Sequence, residues 1–125
     1  MPIVRVDILE GKPDEYKMAL FDAINQSMQL YMGLKDGDRR QILTEHSSQN
    51  FEHGGRSDLY TVIEVSLLAG RSFEAKKNFY RDLVDRLVNN LGIPPNDITI
   101  LLNEQPPENW GIRGGIPASE VDITK

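Results

Sequence analysis

The chain is predicted to adopt an α+β fold in which two tandem βαβ units form a four-stranded sheet with both helices on one face. Three observations favour this architecture. Residues 2–9 alternate between apolar and polar side chains, which is typical of a half-buried strand. Two longer segments carry apolar residues at helical spacing, and each stops at a glycine, Gly33 or Gly92. Finally, the chain repeats itself at an offset of 59 residues, the separation of Gly11 and Gly70.

The repeat runs through both units without a gap. At this offset the identical pairs include Val6 and Val65, Leu9 and Leu68, Glu15 and Glu74, Lys17 and Lys76, Gly33 and Gly92, Asp38 and Asp97, Leu43 and Leu102, and Glu45 and Glu104. A repeat of this length is one supersecondary unit used twice rather than a solenoid period. Gene duplication is the simplest account, and chance similarity between two βαβ units is the alternative.

The first unit covers about residues 2–46. After the opening strand, Pro13 suits the first turn of a helix, where the N–H that proline lacks would have no partner. The helix stops at Gly33, and a second strand follows over about residues 39–46.

The second unit covers about residues 59–104 and follows the same plan. A strand rich in Val, Ile and Leu occupies residues 59–68, and Ser72 is placed to cap the next helix. Gly92 ends that helix, and the fourth strand covers about residues 98–102.

Two segments lie outside the repeat in this single domain of residues 1–125. Residues 47–58 form a polar, Gly-rich linker, and residues 105–125 form a tail that holds Trp110, the sole tryptophan. The tail has little helical signal, so we expect it to pack on a neighbouring surface, such as that of another subunit. Because both helices cover one face, apolar residues on the other face of the sheet need cover, and self-association is expected.

Composition places the chain among cytosolic globular proteins. Its 125 residues are 39% hydrophobic and 26% charged, with a net charge of −5 that gives no support for nucleic-acid binding. It has no cysteine, no apolar run of the ~20 residues that a membrane helix needs, and no signal-peptide pattern at its start. We therefore expect a cytoplasmic protein without a nucleic-acid or membrane partner.

Pro2 is the strongest candidate for a catalytic group. If Met1 is cleaved, Pro2 becomes a secondary amine fixed at the first residue of a strand. An apolar pocket and nearby cations would lower the pKa of that amine from the roughly 8 of a free α-amino group. The amine would then serve as a general base near neutral pH. The alternative is that Pro2 merely starts an edge strand, where its missing N–H costs nothing.

Metal and cofactor chemistry find no support in the sequence. His46 and His53 have no companion cysteine and no helical spacing of the kind that zinc ligands show. Phosphate-binding loops, zinc motifs and nucleophile elbows are also absent. We expect a site that uses neither a metal nor a cofactor.

Several of these features together resemble the tautomerase superfamily. They are Pro2 in an opening strand, the doubled βαβ unit, Asp38-Arg39, the Gly70-Arg71-Ser72 turn, the Glu74 and Lys76 helix start, and Asn109-Trp110-Gly111 near the end. The duplicated length resembles the fused members, especially the malonate semialdehyde decarboxylase-like group. The resemblance covers nearly the whole chain and implies the tautomerase fold, a homotrimer and removal of Met1.

The resemblance also implies roles for individual residues. Pro2 would act as base, acid or occasionally nucleophile, Asp38 would assist water or proton handling, and Arg71 would bind a substrate carboxylate. Trp110 matches an aromatic residue that shapes the pocket, and Ile112 stands where a second aromatic is expected.

One departure concerns the decarboxylase type, which carries a second arginine in the turn between strand and helix. Here Arg71 is the only arginine in that turn, and Arg39, Arg40 and Arg56 are candidates to compensate.

Purely structural roles compete with these assignments. Asp38 and its repeat mate Asp97 lie in equivalent turns, which fits a turn-forming role. Arg71 corresponds to Lys12 and could be a solvated charge, although a cation is unfavourable at the positive end of a helix dipole and anion binding would explain it there. Trp110 could serve packing alone.

The leading hypothesis is an isomerase: a keto–enol tautomerase of a small 2-oxo acid, with Pro2 as base and acid and Arg71 holding the carboxylate. An alternative is a decarboxylase or hydratase of a three-carbon oxo acid such as malonate semialdehyde, using water activated by Asp38. A third reading is a non-catalytic trimeric ligand-binding module, in which Pro2 would be replaceable.

Overall fold

The computed structural model describes residues 2–122, and its elements follow the order of two βαβ units and a short hairpin. In chain order they are β1 (Ile3–Leu9), α1 (Asp14–Tyr31), β2 (Gln41–His46), β3 (Thr61–Leu68), α2 (Phe73–Leu91), β4 (Ile98–Gln105), β5 (Gly111–Ile112) and β6 (Ile116–Pro117). The α+β fold expected from the sequence is confirmed. Within the described range, no helix combines the length and apolar character needed to cross a membrane.

The four long strands form one sheet in the order β2-β1-β3-β4. As expected for βαβ units, β1 runs parallel to β2 and β3 runs parallel to β4, whereas the central pair β1 and β3 is antiparallel. Val6 pairs with Leu43 on one side and with Ile63 on the other. Because β1 is an interior strand, the reading of Pro2 as the start of an edge strand is wrong.

Both helices pack on one face of the sheet, and the core lies between these layers. Alternate residues of β1 and β3 join the inward faces of the helices in one buried cluster. Its members are Val4, Val6, Ile8, Leu20, Ala23, Ile24, Met28, Met32, Ile63, Val65, Leu67, Phe79, Leu83, Leu87 and Ile93. The helices also meet through a polar contact, in which the buried Ser27 hydroxyl donates to the Phe79 carbonyl at 3.5 Å.

Local rules fix the ends of α2 better than the start of α1. The Ser72 hydroxyl accepts the Ala75 N–H at 3.1 Å, as an N-cap does. Gly92 ends the helix in the left-handed conformation with φ 71°, and its N–H donates to the Val88 carbonyl at 3.0 Å. In contrast, α1 follows Pro13, which supplies no side-chain cap.

The face of the sheet opposite the helices is more polar than expected. Alternation places Arg5 of β1 and Glu64 of β3 on this face, directly opposite each other in the register. Exposed apolar side chains occur on the outer strands, where Ile42 is 45% exposed and Leu101 is 48% exposed. The need for apolar cover therefore applies to the outer strands rather than to the centre of the sheet.

The internal repeat extends further than the sequence comparison indicated. Residues Ser48–Asn50 and Pro107–Asn109 each form one turn of 3₁₀ helix. They lie at the same offset of 59 residues, and each is followed by an aromatic residue, Phe51 or Trp110. Beyond these aromatic residues the two copies diverge, and of the two aromatic residues Trp110 lines the cavity described below.

Candidate active site

A cavity of about 570 Å³ opens where the start of β1 meets the turn after β3. Its wall includes all five residues singled out in the sequence: Pro2, Asp38, Arg71, Trp110 and Ile112. Four separate segments of the chain supply them, so folding is required to bring them together.

Pro2 lies half-buried at the start of the interior strand β1. Two residues later, the Val4 N–H donates to the Arg40 carbonyl at 2.9 Å, which ties the start of β1 to the segment before β2. Pro2 therefore lies directly before a strand that is tied into the sheet. Met1, whose removal would free the Pro2 nitrogen, lies outside the described residues.

Arg71 bridges the ends of two elements. Its Nη1 donates to the Leu68 carbonyl at 2.9 Å, and its Nη2 donates to the Met32 carbonyl at 2.7 Å. Met32 caps the C-terminus of α1, where a positive charge is favourable because the helix dipole is negative there. A guanidinium has five N–H donors, so these two bonds leave donors for an anion in the cavity.

Asp38 lies in the turn before β2, where its N–H donates to the Lys35 carbonyl at 3.1 Å, and its carboxylate pairs with Arg40. Burial acts to raise the pKa of Asp38, but hydrogen bonds and positive charge, including those of Arg40, outweigh it and lower the pKa. The repeat mate Asp97 is buried and accepts the Ser57 N–H at 3.3 Å instead. The two aspartates share a type of turn, but only Asp38 faces the cavity.

The cavity wall carries more positive charge than the sequence indicated. Arg40 and Arg113 line it together with Arg71. The other two candidates are engaged elsewhere: Arg39 pairs with an aspartate of α1 at 3.0 Å, and Arg56 donates to a backbone carbonyl at 2.7 Å. Of the proposed compensating arginines, Arg40 is therefore the one placed at the cavity.

Part of the tail folds into a hairpin of β5 and β6, which contributes Ile112 and Arg113 to the cavity wall. The Ala118 N–H donates to the Trp110 carbonyl at 2.8 Å, and the Gly115 N–H donates to the Ile112 carbonyl at 3.1 Å. Arg113 at the tip has φ 50°, a left-handed conformation that costs a non-glycine residue about 1–2 kcal/mol. Arg113 was not among the residues predicted from the sequence, although its place between Ile112 and two glycines is a turn signal.

Within residues 2–122, no three His, Asp or Glu side chains are grouped closely enough to hold a metal ion. The polar groups of the cavity are instead suited to binding an anion and to moving protons.

Sequence models of two tautomerase families, each described as a tautomerase enzyme, match the chain over residues 38–113 and over residues 2–57. The first match covers more than half of the chain. The chain belongs to the tautomerase superfamily. The two matches in tandem indicate a fused member, as the sequence analysis predicted.

Curated relatives of this fused tautomerase match either the whole chain or half of it. The probable tautomerase YusQ of Bacillus subtilis (strain 168) is 26% identical over 121 residues, covering 92% of this chain and 95% of the relative. The 2-hydroxymuconate tautomerase of Pseudomonas sp. (strain CF600) is 32% identical over 60 residues, covering 48% of this chain and 94% of the relative. Nearly the whole of that relative thus corresponds to about half of the chain.

Solved structures of two kinds resemble the fold over nearly its whole length. Malonate semialdehyde decarboxylase is 28% identical with a TM-score of 0.79, and the match covers 90% of this chain and 92% of that chain. A wild-type fused 4-OT described as an asymmetric trimer is 25% identical with a TM-score of 0.83, covering 94% of this chain and 97% of that chain. These likenesses confirm the fused tautomerase fold.

The second copy of the site in this tautomerase is not equivalent to the first. At the repeat offset, Thr61 stands in place of Pro2, and Lys12 stands in place of Arg71. The Lys12 ammonium donates to the Asp58 carbonyl of the linker at 3.3 Å. The cavity there is about 290 Å³, roughly half the volume of the first. A proline-based reaction would therefore have only one place in the chain.

Proposed function

We propose that this fused tautomerase is a keto–enol isomerase of a small 2-oxo acid, with its amino-terminal proline as the base and acid. One observation carries the proposal: the cavity wall brings Pro2 and Arg71 together, although 68 residues lie between them in the chain. A base and an anion-binding group in one cavity are what proton transfer next to a carbonyl requires.

The reaction needs only one mobile proton. After Met1 is removed, the Pro2 nitrogen takes a proton from the carbon next to the carbonyl, and the C–H electron pair forms the C=C bond of an enolate. The protonated amine then returns the proton to the enolate oxygen, or to a different carbon when the double bond has moved. Pro2 ends each cycle as it began, so no cofactor is consumed.

Arg71 would hold the substrate carboxylate while Pro2 acts. Its guanidinium is already aimed by two backbone carbonyls, so little side-chain entropy is lost when an anion binds. Arg40 and Arg113 add positive charge to the wall, which favours an acid as ligand and disfavours protonation of the Pro2 amine. Trp110 would exclude water and so strengthen these charge interactions.

We also propose that the protein acts as a homotrimer. The structural likeness to a fused 4-OT trimer supports this, as do the exposed apolar side chains on the outer strands. Sedimentation equilibrium tests it: a particle three times the 14.2 kDa chain is expected, and a monomer at micromolar concentration would contradict it.

Pro2→Ala, produced with its initiator methionine removed, tests the proposed reaction. We expect kcat/KM for enol–keto conversion of phenylpyruvate to fall by at least ~100-fold, because positioned general bases contribute that much or more. Circular dichroism should show an unchanged fold. An unchanged rate would remove the mechanism and leave the non-catalytic ligand-binding module as the better account.

Decarboxylation or hydration of a three-carbon oxo acid is the second candidate. The likeness to malonate semialdehyde decarboxylase favours it, and so does the placement of Asp38 and Arg40 on the cavity wall. Release of carbon dioxide from malonate semialdehyde by the wild type, lost in Asp38→Asn, would support this reaction over tautomerisation.

A further inference from the structure

Each βαβ unit has one turn between its first strand and its helix: the Lys12 turn (residues 10–12) and the Arg71 turn (residues 69–71). Beside each turn, a lysine of the helix pairs with a glutamate of the second strand. Lys17 and Glu45 pair at 2.5 Å, and Lys76 pairs with Glu104 in the same way. The pair is present in both units, yet only the Arg71 turn contributes to the large cavity.

Glu104 lies near the end of β4 with its side chain 26% exposed. Its pKa is lowered chiefly by the hydrogen bond from Lys76, against the opposing effect of burial, and further by the Gly70 N–H and the charge of Arg71. The carboxylate is therefore paired with α2, and the nearby Arg71 turn adds to the lowering of its pKa.

The backbone of the Arg71 turn is also attached to β4. The Ala69 N–H donates to the carbonyl of Gln105, the residue that follows Glu104. Gly70 has φ 127°, a conformation that side-chain-bearing residues rarely adopt. Arg71 is thus held in two ways: β4 binds the backbone of its turn, and the Leu68 and Met32 carbonyls bind its guanidinium.

We propose that Glu104 is a positioning residue for Arg71. Its carboxylate is held by Lys76 at the point where β4 binds the Arg71 turn, and so sets the direction in which the Arg71 guanidinium meets a substrate carboxylate. The inference rests on the proposed function of Arg71 as the carboxylate-binding group. Glu104 itself does not line the cavity, so it acts through the turn.

The Lys12 turn supplies a matched control within the same chain. The side chains of Lys17 and Glu45 are 25% and 31% exposed, close to the 24% and 26% of Lys76 and Glu104. Removing the charge of Glu45 therefore measures how much stability is lost when such an ion pair is broken away from the candidate active site.

Glu104→Gln keeps the size of the side chain and removes its charge. We expect KM for the oxo acid to rise about 10-fold while kcat stays within about 2-fold of the wild type. A misplaced Arg71 guanidinium would bind the carboxylate less tightly in the ground state and in the transition state alike. Glu45→Gln should leave both KM and kcat at wild-type values. The two variants should lower the midpoint of thermal unfolding by similar amounts, because each loses one ion pair. If the two variants show the same KM, the proposal is overturned.

A charge-swapped variant, Lys76→Glu with Glu104→Lys, separates positioning from ion pairing. The swap restores an ion pair between α2 and β4 but puts a cation beside the Gly70 peptide and Arg71. Thermal stability should recover while KM stays high. Recovery of both together would show that the pair acts only through stability, which contradicts positioning.

Nitrogen-detected NMR of the Arg71 guanidinium gives a readout that does not need turnover. Its two Nη atoms bond to different carbonyls, so they should give separate signals in the wild type and in Glu45→Gln, and merged signals in Glu104→Gln. Unchanged signals in Glu104→Gln would overturn the inference. A wild-type protein inactive on oxo acids would count against the proposed function alone.

Discussion

Arg71 shows how one side chain can serve the fold and the candidate site together. Its two bonds to backbone carbonyls join the end of β3 to the end of α1, while its remaining donors are available at the cavity. The sequence predicted an anion-binding role because a cation is unfavourable at the start of α2. The carbonyl end of α1 gives a further reason for the charge, and it depends on a contact between distant segments.

Arg71→Lys separates charge from geometry at this position. Lysine keeps the positive charge but cannot donate to two carbonyls and a carboxylate in one plane, so we expect kcat/KM to fall by about 10–100-fold. The free energy of unfolding should fall by about 1 kcal/mol for each carbonyl bond lost. Lys12→Arg is the control and should change neither quantity appreciably. Wild-type kinetics in Arg71→Lys would show that charge alone suffices.

Arg113→Gly separates stability from activity. Glycine relieves the left-handed strain of about 1–2 kcal/mol, which offsets the greater backbone freedom that it gives the unfolded chain. We expect unfolding by urea to be unchanged within about 0.5 kcal/mol, while KM for the oxo acid rises because one cation leaves the cavity wall. A clear loss of stability would mean that the Arg113 side chain supports the hairpin itself.

Local sequence patterns predict some of the cavity-lining residues, whereas the position of others depends on contacts between distant segments. Pro2 is marked by its place directly after Met1, and Arg71 by a positive charge at the start of a helix. Arg40 was only one of three candidates, and nothing local distinguishes it from Arg39. The tertiary fold distinguishes the two arginines, because Arg39 pairs with an aspartate of α1 whereas Arg40 lines the cavity.

At the scale of elements, the helices were predicted more closely than the strands and the tail. Glycine and an N-cap serine fix the ends of α2, and these signals are local. In contrast, β4 continues to Gln105, beyond the expected residue 102, because its pairing with β3 continues. The β5–β6 hairpin was not predicted, since two-residue strands leave no periodic pattern.

Ser72→Ala tests the cap of α2. Loss of the hydroxyl leaves the Ala75 N–H without its acceptor, and the free energy of unfolding should fall by about 1 kcal/mol. Ser72→Thr, which keeps the acceptor, is the control and should lose at most a few tenths of that amount. Equal stability of the alanine variant and the wild type in urea would show that the cap contributes nothing.

At the scale of the whole molecule, the two copies of the site in the described residues differ in size, with cavities of about 570 Å³ and about 290 Å³. The linker of residues 47–58 lies against the second copy of the site. There Lys12 and Asp97 form hydrogen bonds with linker residues. The 59-residue repeat therefore predicted the architecture. The position of the linker was not predictable from the repeat, because the linker lies outside it.

The loss of folding stability at acid pH should reflect the protonation of three carboxylates. Hydrogen bonds from Lys17 and Lys76 lower the pKa of Glu45 and Glu104 below the ordinary 4.5, and the pKa of Asp38 is also lowered. Since the unfolded carboxyls bind protons at higher pH, their contribution is present above about pH 5 and is lost as pH falls through the lower folded values. The double variant Glu45→Gln/Glu104→Gln should show a shallower fall in unfolding free energy below pH ~4. An unchanged slope would mean that these carboxylates do not titrate differently on folding.

The most direct test of the account is intact-mass analysis of natively processed protein before and after exposure to 3-bromopropiolate. A reactive amine at the mature start of the chain predicts that methionine is absent from the untreated protein. It also predicts one adduct per chain, mapped to the peptide that begins with Pro2 and formed more slowly in Arg71→Ala. Retention of methionine, or an adduct at any other residue, would contradict the central claim.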